Sequence, residues 1–80
     1  MNKLSPIANQ QWIKFIESVG CVYKRQKDNH LIYTRPDLKR PIVFRNTGDI
    51  PIFHIKNCLR TLNIKTSQFL KIIDNLNKNS

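Results

Sequence analysis

The chain has 80 residues and little of several residue types on which common classes of protein depend. Two glycines leave no room for a glycine-rich loop that cradles phosphates. Five scattered acidic residues are too few for a glycosidase carboxylate pair or a two-metal nuclease site. Two cysteines without a Cys-x-x-Cys motif or a Cys/His cluster provide neither a disulfide framework nor a zinc site. We therefore expect no metal and no cofactor.

Long apolar segments are absent as well. The first residues lack the apolar stretch of a secretory signal, and no segment reaches the roughly 18 apolar residues of a membrane span. We expect a soluble, cytoplasmic protein with no membrane contact, in which Cys21 and Cys58 are reduced core thiols. The length suits a single domain over residues 1–80.

Positive charge is what the chain has in excess. Fourteen Lys and Arg against five Asp and Glu give a formal net charge of +9, and seven of these cations lie between Lys24 and Arg45. Such charge opposes compaction and favours a polyanionic partner. The composition therefore predicts nucleic-acid binding, and a merely solvated charged surface is the plainer alternative.

Apolar spacing predicts a helix near the start of the chain. Four apolar residues recur at the i, i+3, i+4 and i+7 positions of a helical face: Trp12, Phe15, Ile16 and Val19. Gly20 is suited to end this helix, and either Ser5 or Asn9 could cap its start. The sequence leaves that choice open.

After Gly20 the apolar spacing changes to the period of a strand. Two tight turns, Asp28-Asn29 and residues 36–40, separate three predicted antiparallel strands over residues 21–27, 30–35 and 41–45. Residues 46–51 have the composition of a loop. The sequence thus predicts a three-stranded meander that displays basic side chains on its edges and one face.

Helical spacing resumes after this loop. Ile52, Ile55, Leu59 and Leu62 form one apolar stripe, and Thr66 could cap a last helix before a fraying tail at residues 77–80. The predicted fold class is α+β, in the order α-β-β-β-α. A three-stranded antiparallel sheet would have helices on one face, with a short extra C-terminal helix.

His30 is the first candidate for chemistry. It begins the second predicted strand and lies close to Lys24, Arg25 and Lys27. Histidine exchanges protons near pH 7, and cleavage of RNA needs either a base for the ribose 2′-hydroxyl or an acid for the leaving 5′-oxygen. Nearby cations would stabilise the charge that builds on the phosphorane. A structural or merely polar role for a lone histidine is the plainer alternative.

His54 is the second candidate, because it lies at the predicted start of a helix, where anions are favoured. A surface position in the first turn is the plainer interpretation, although a two-histidine ribonuclease stays open. A DNA-binding helix-turn-helix formed by residues 52–62 and 66–76 is a weaker alternative, because the densest basic cluster precedes these helices.

The segments described so far resemble the HicA-type toxins, small messenger RNA interferases also called YcfA-like proteins. Residues 12–20 are similar to the family's first helix with its terminal glycine. The segment 25–30, Arg-Gln-Lys-Asp-Asn-His, resembles the family's Arg-Gln-Lys-Gly-Ser-His strand and turn, which places His30 on the catalytic histidine. Asp49-Ile50-Pro51 resembles the acidic-isoleucine-proline segment before the second helix, and the similarity covers nearly the whole chain.

Three departures from the family pattern accompany the resemblance. Asp28-Asn29 replaces the usual Gly-Ser and adds a carboxylate beside His30. Arg45-Asn46 occupies the region where many members carry a second histidine, and Phe53-His54 replaces the usual Gly-Thr of the second helix. Since the family does not have a histidine there, His54 is expected to be dispensable.

The resemblance implies a fold like that of double-stranded-RNA-binding domains and metal-independent cleavage of messenger RNA by a single histidine, His30. It also implies a HicB-type antitoxin, for which Tyr23 or Tyr33 could serve as an exposed anchor. The basic residues expected to bind RNA are Lys24, Arg25, Lys27, Arg35 and Arg45. A non-catalytic RNA-binding module of the same fold is the main alternative.

Overall fold

A computed structural model describes residues 4–78 of the chain. The elements in chain order are β1 (Ile7–Ala8), α1 (Asn9–Ser18), β2 (Val22–Lys27), β3 (His30–Thr34), β4 (Ile42–Arg45), β5 (Asp49–Ile50), α2 (Ile52–Leu62) and α3 (Thr66–Lys78). The predicted α+β class and its α-β-β-β-α order are confirmed. Asn79 and Ser80, part of the tail expected to fray, lie outside the described residues.

The main sheet is the predicted antiparallel meander, with strand order β2-β3-β4. The turn between β2 and β3 consists of two residues, and Asp28 adopts a positive φ of 54° there. Asp tolerates this left-handed conformation better than most residues, so the turn forms without glycine.

One face of the sheet forms the floor of the hydrophobic core. Tyr33, Ile42 and Phe44 are buried on this face, and their side chains belong to the same hydrophobic cluster as those of the helices. Trp12 of α1 makes an edge contact with Phe44 at 6.4 Å between ring centroids. Phe69 of α3 makes another with Phe15 of α1 at 4.7 Å. The opposite face, which we call the outer face, is therefore left for other contacts.

A second, two-stranded sheet was not predicted. β1 pairs with β5 in antiparallel fashion, with Ile7 opposite Ile50, whereas the sequence indicated a loop over residues 46–51. Burial of the Ile50 side chain accounts for this pairing, since it anchors β5 against the core. Two-residue strands carry too short a pattern for sequence periodicity to reveal.

The starts of the helices differ from the expected caps. Ala8 holds the N-cap position of α1 without a side-chain hydrogen bond, so neither Ser5 nor Asn9 has that role. The last helix begins with Thr66 already inside it, and the Gln68 side chain accepts a hydrogen bond from the Lys65 N–H at 3.1 Å. At 13 residues this helix is longer than the short one expected, because its apolar spacing continues through Leu76.

Candidate functional site

Three of the predicted site residues lie in one row across the main sheet. His30 of β3 is the direct partner of Lys27 on β2 and of Arg45 on β4. Directly opposed residues of antiparallel strands project from the same face, with Cβ atoms about 4.5–5.5 Å apart. All three side chains are exposed, so the histidine is flanked by two solvent-accessible cations on the outer face.

A β-bulge at Lys24 decides the face on which the other strand cations lie. Tyr23 pairs with Tyr33, on the core face, but the next matched pair is Arg25 with Ile32, on the outer face. One extra residue in β2 therefore reverses the alternation of side chains. Without the bulge, Arg25 and Lys27 would project from the same side as Tyr23, away from His30.

Hydrogen bonds to backbone carbonyl groups hold the ends of these strands. The Gln26 side-chain amide donates to the Asp28 carbonyl at 3.0 Å, and the Asn46 N–H donates to the Asn29 carbonyl at 2.8 Å. The side-chain amide of Asn9 in α1 donates to the carbonyl of Arg45. The turn before His30 and the end of β4 are thereby fixed relative to each other.

A small pocket adjoins this row, and both histidines line it. Its volume is about 190 Å³, and its lining consists of His30, Val43, Phe44, Arg45, Asp49, Ile50, Pro51 and His54. The structure therefore brings His30, Arg45 and His54 together with one carboxylate, that of Asp49. The sequence had drawn attention to His54, but nothing in the spacing indicated that it shares a pocket with His30.

His54 is bonded to the edge of the sheet. Its Nε2 lies 2.8 Å from the carbonyl oxygen of Val43, on the edge strand β4. A carbonyl oxygen can only accept, so this ring nitrogen carries a hydrogen and donates it. Nε2 of His54 is thus not free to act as a base, and the bond joins the start of α2 to the sheet.

Arg35 lies at the other end of the sheet, away from the histidine row. Its Nε and Nη2 donate to the two carboxylate oxygens of Asp37 at 2.6 and 3.0 Å, and its Nη1 donates to the carbonyl of Val19 at 2.6 Å. The hydrogen bonds between Arg35 and Asp37 lower the pKa of Asp37 and raise that of Arg35. Three of the five N–H donors of this guanidinium are therefore in use within the fold.

Comparison with protein families places these residues in a known group. A family model described as "HicA toxin of bacterial toxin-antitoxin" matches residues 10–64, which include His30, Arg45 and His54. The chain belongs to the HicA toxin family. No curated protein and no solved structure matches it.

Membership of the HicA toxin family gives the chain a role as the toxin of a bacterial toxin–antitoxin pair. It also implies a cognate antitoxin as partner. Within residues 4–78, no group of three or more His, Cys, Asp or Glu side chains is arranged to hold a metal ion. No helix in the same residues is long and apolar enough to cross a membrane.

Proposed function

We propose that this HicA-family toxin is a metal-independent endoribonuclease that cleaves messenger RNA in the cytoplasm, with His30 as its catalytic residue. The observation that carries the proposal is the row of Lys27, His30 and Arg45 across the outer face of the sheet. It combines a proton-transfer group with two cations at neighbouring positions on one exposed surface.

In the proposed reaction His30 accepts the proton of a ribose 2′-hydroxyl. The 2′-oxygen then attacks the adjacent phosphorus, and the bond from phosphorus to the 5′-oxygen breaks. The leaving oxygen takes a proton from solvent, and His30 afterwards returns its own proton to solvent. The products are a 2′,3′-cyclic phosphate and a free 5′-hydroxyl, while Lys27 and Arg45 stabilise the negative charge on the phosphoryl oxygens in the transition state.

We further propose that exposed cations of the meander hold the phosphates on either side of the cleaved bond. Arg25 and Lys27 share the outer face with His30, and Lys24 is exposed at the bulge. Arg35 also belongs to the set predicted to bind RNA. It lies at the other end of the sheet, where the two N–H donors beyond those that bond Asp37 and Val19 would hold a phosphate further along the RNA strand. Contacts of this kind supply affinity without reading sequence.

Two matched histidine variants test the catalytic assignment. We expect His30→Ala to abolish cleavage of labelled RNA and growth arrest while leaving thermal stability unchanged, because this exposed ring makes no hydrogen bond within residues 4–78. We expect His54→Ala to retain most of the cleavage but to lose about 1 kcal/mol of unfolding free energy with its bond to Val43. Cleavage of labelled RNA by the wild type and by both variants is measured with and without EDTA.

Full cleavage by folded His30→Ala protein would overturn the proposal. Equal loss of activity in both variants, with stability unchanged, would indicate a two-histidine mechanism instead. Tight RNA binding without cleavage by the wild-type protein would favour the non-catalytic RNA-binding module.

A further inference from the structure

A second concave surface of the molecule lies away from the His30 pocket and shares no lining residue with it. It is a cleft of about 600 Å³ between the β3–β4 loop and the last turn of α2. Four cationic side chains and one carboxylate line it, which gives a formal net charge of +3: Arg35, Lys39, Arg40 and Arg60, with Asp37. Thr61 and Asn63 add polar groups from the helix end.

Most of this positive charge is uncompensated. Asp37 forms a salt bridge with Arg35, and the other salt bridge among residues 4–78 joins Lys78 to Asp74 on α3. Lys39, Arg40 and Arg60 therefore have no acidic partner in the described part of the chain. Three unpaired cations around one concavity favour an anionic ligand.

The loop that carries two of these cations is held in place. Arg35 bonds to Asp37 within the loop and to Val19 at the end of α1, and the Leu38 N–H donates to the Arg35 carbonyl at 3.0 Å. A braced loop loses little conformational entropy when a ligand binds. Lys39 and Arg40 are thus presented from a prearranged segment.

Two carbonyl groups at the end of α2 are capped by backbone hydrogen bonds. The terminal carbonyls of Leu59 and Arg60 accept hydrogen bonds from the N–H groups of Ile64 and Asn63, at 2.9 and 3.2 Å. Asn63 takes the left-handed conformation that makes this arrangement possible. Two of the four terminal carbonyl groups that would otherwise repel a phosphate are therefore occupied.

The cleft and the His30 pocket lie along one flank of the same helix. His54 lines the pocket and Thr61 lines the cleft, and these residues are seven positions apart. Seven residues are two helical turns, so both side chains lie on one side of α2 about 10 Å apart along its axis. An extended chain of phosphates can reach both sites, whereas a compact anion cannot.

We propose that the cleft binds the phosphodiester backbone of the same RNA strand whose cleaved phosphate occupies the His30 pocket. This inference rests on the ribonuclease function proposed above. Lys39, Arg40 and Arg60 contact phosphates a few nucleotides from the cleaved bond. The toxin thus gains affinity for long single strands over short fragments, including its own products.

Binding of non-cleavable 2′-O-methyl RNA oligonucleotides of increasing length tests the proposal by fluorescence anisotropy across a range of salt concentrations. The variants are Lys39→Ala/Arg40→Ala and Arg60→Ala. We expect them to weaken binding of long oligonucleotides and to reduce the salt slope by roughly 0.7 for each cation removed. Binding of the shortest oligonucleotides should stay at the wild-type level.

The matched control is Lys14→Ala/Lys71→Ala, which removes two exposed lysines from α1 and α3, outside both sites. It should leave the length dependence of binding unchanged. Because the probe is not cleaved, the result is independent of catalysis, and a wild-type protein that binds but does not cut would count against the ribonuclease alone.

Wild-type affinity and salt slope in all the cleft variants would overturn the inference. So would a loss of binding equal for short and long oligonucleotides, since that would indicate a non-specific effect of charge. Weaker binding of the antitoxin with unchanged binding of RNA would assign the cleft to the protein partner.

Discussion

At the scale of single residues, the two histidines of the pocket differ in what holds them. The His54 ring donates to the Val43 carbonyl and is half-buried, whereas the exposed His30 ring makes no hydrogen bond within residues 4–78. A ring fixed through Nε2 contributes to structure, while an unbonded ring beside two cations is available to a ligand. The difference supports His30 as the proton-transfer group, and the sequence alone could not reveal it.

The two buried cysteines allow a prediction of pH-dependent reactivity. Burial raises the pKa of the Cys58 thiol to about 11 and also raises that of Cys21. Because the thiolate is the reactive form, we expect both thiols of the folded protein to react very slowly with a disulfide reagent at neutral pH. Labelling should accelerate as the pH approaches 11 or when denaturant unfolds the chain.

The same shift has a consequence for stability. The folded state prefers the neutral Cys58 thiol. The stability that this preference contributes is therefore fully present below pH 9, the ordinary pKa of a thiol, and is lost as the pH rises towards 11. A Cys58→Ala variant should lack this part of the alkaline loss. Rapid labelling of the native protein at neutral pH would contradict the burial of both thiols and therefore both expectations.

At the scale of elements, periodicity predicted the main helices and strands but not the details that connect them. The stripe of Ile55, Leu59 and Leu62 matches α2, and both turns of the meander occur where they were expected. The bulge at Lys24 left no such signal, because a bulge depends on how two strands pair. That one residue nevertheless brings Arg25 and Lys27 to the face of His30.

Two glycine substitutions test how the end of α1 is joined to the β3–β4 loop. Gly20 and Gly48 both have positive φ, 96° and 82°, so alanine at either position should cost about 1–3 kcal/mol of stability. A Cβ at Gly20 would also lie 3.2 Å from Cδ of Arg35, whereas a Cβ at Gly48 would have no neighbour within 4 Å. We therefore expect Gly20→Ala to be the more destabilising in urea unfolding.

Gly48→Ala is thus the matched control for backbone strain. Equal losses of stability would show that Arg35 moves aside without cost. In that case the packing of Arg35 against Gly20 would not help to hold the loop.

At the scale of the whole molecule, charge and exposed apolar groups predict a binding surface for the antitoxin. A chain of net charge +9 suits an acidic partner, and charge complementarity makes such association fast and salt-sensitive. Buried anchors are needed as well. The expectation that Tyr33 could be such an anchor is wrong, because its side chain lies in the core and is only 5% exposed. Val22, Tyr23 and Phe53 are more than half exposed and are therefore the available apolar anchors.

Hydrogen exchange of the toxin with and without its antitoxin tests this interface. We expect new protection between Lys24 and Arg45, because an acidic partner lying over the meander would exclude RNA from His30. Tyr23→Ala should weaken the complex and increase its dissociation rate. Protection confined to α3, with the meander still exchanging freely, would mean that inhibition uses another surface.

Sequence by itself determined the fold class, the family and the histidine on which the proposed chemistry rests. These depend on local pattern: helical spacing around Trp12, a tight turn before His30 and a concentration of cations in the meander. Tertiary structure decided which groups meet. The pairing of His30 with Lys27 and Arg45, the bond from His54 to Val43 and the cationic cleft each join segments distant in sequence. Such contacts follow from strand register and helix packing, which composition and periodicity do not specify.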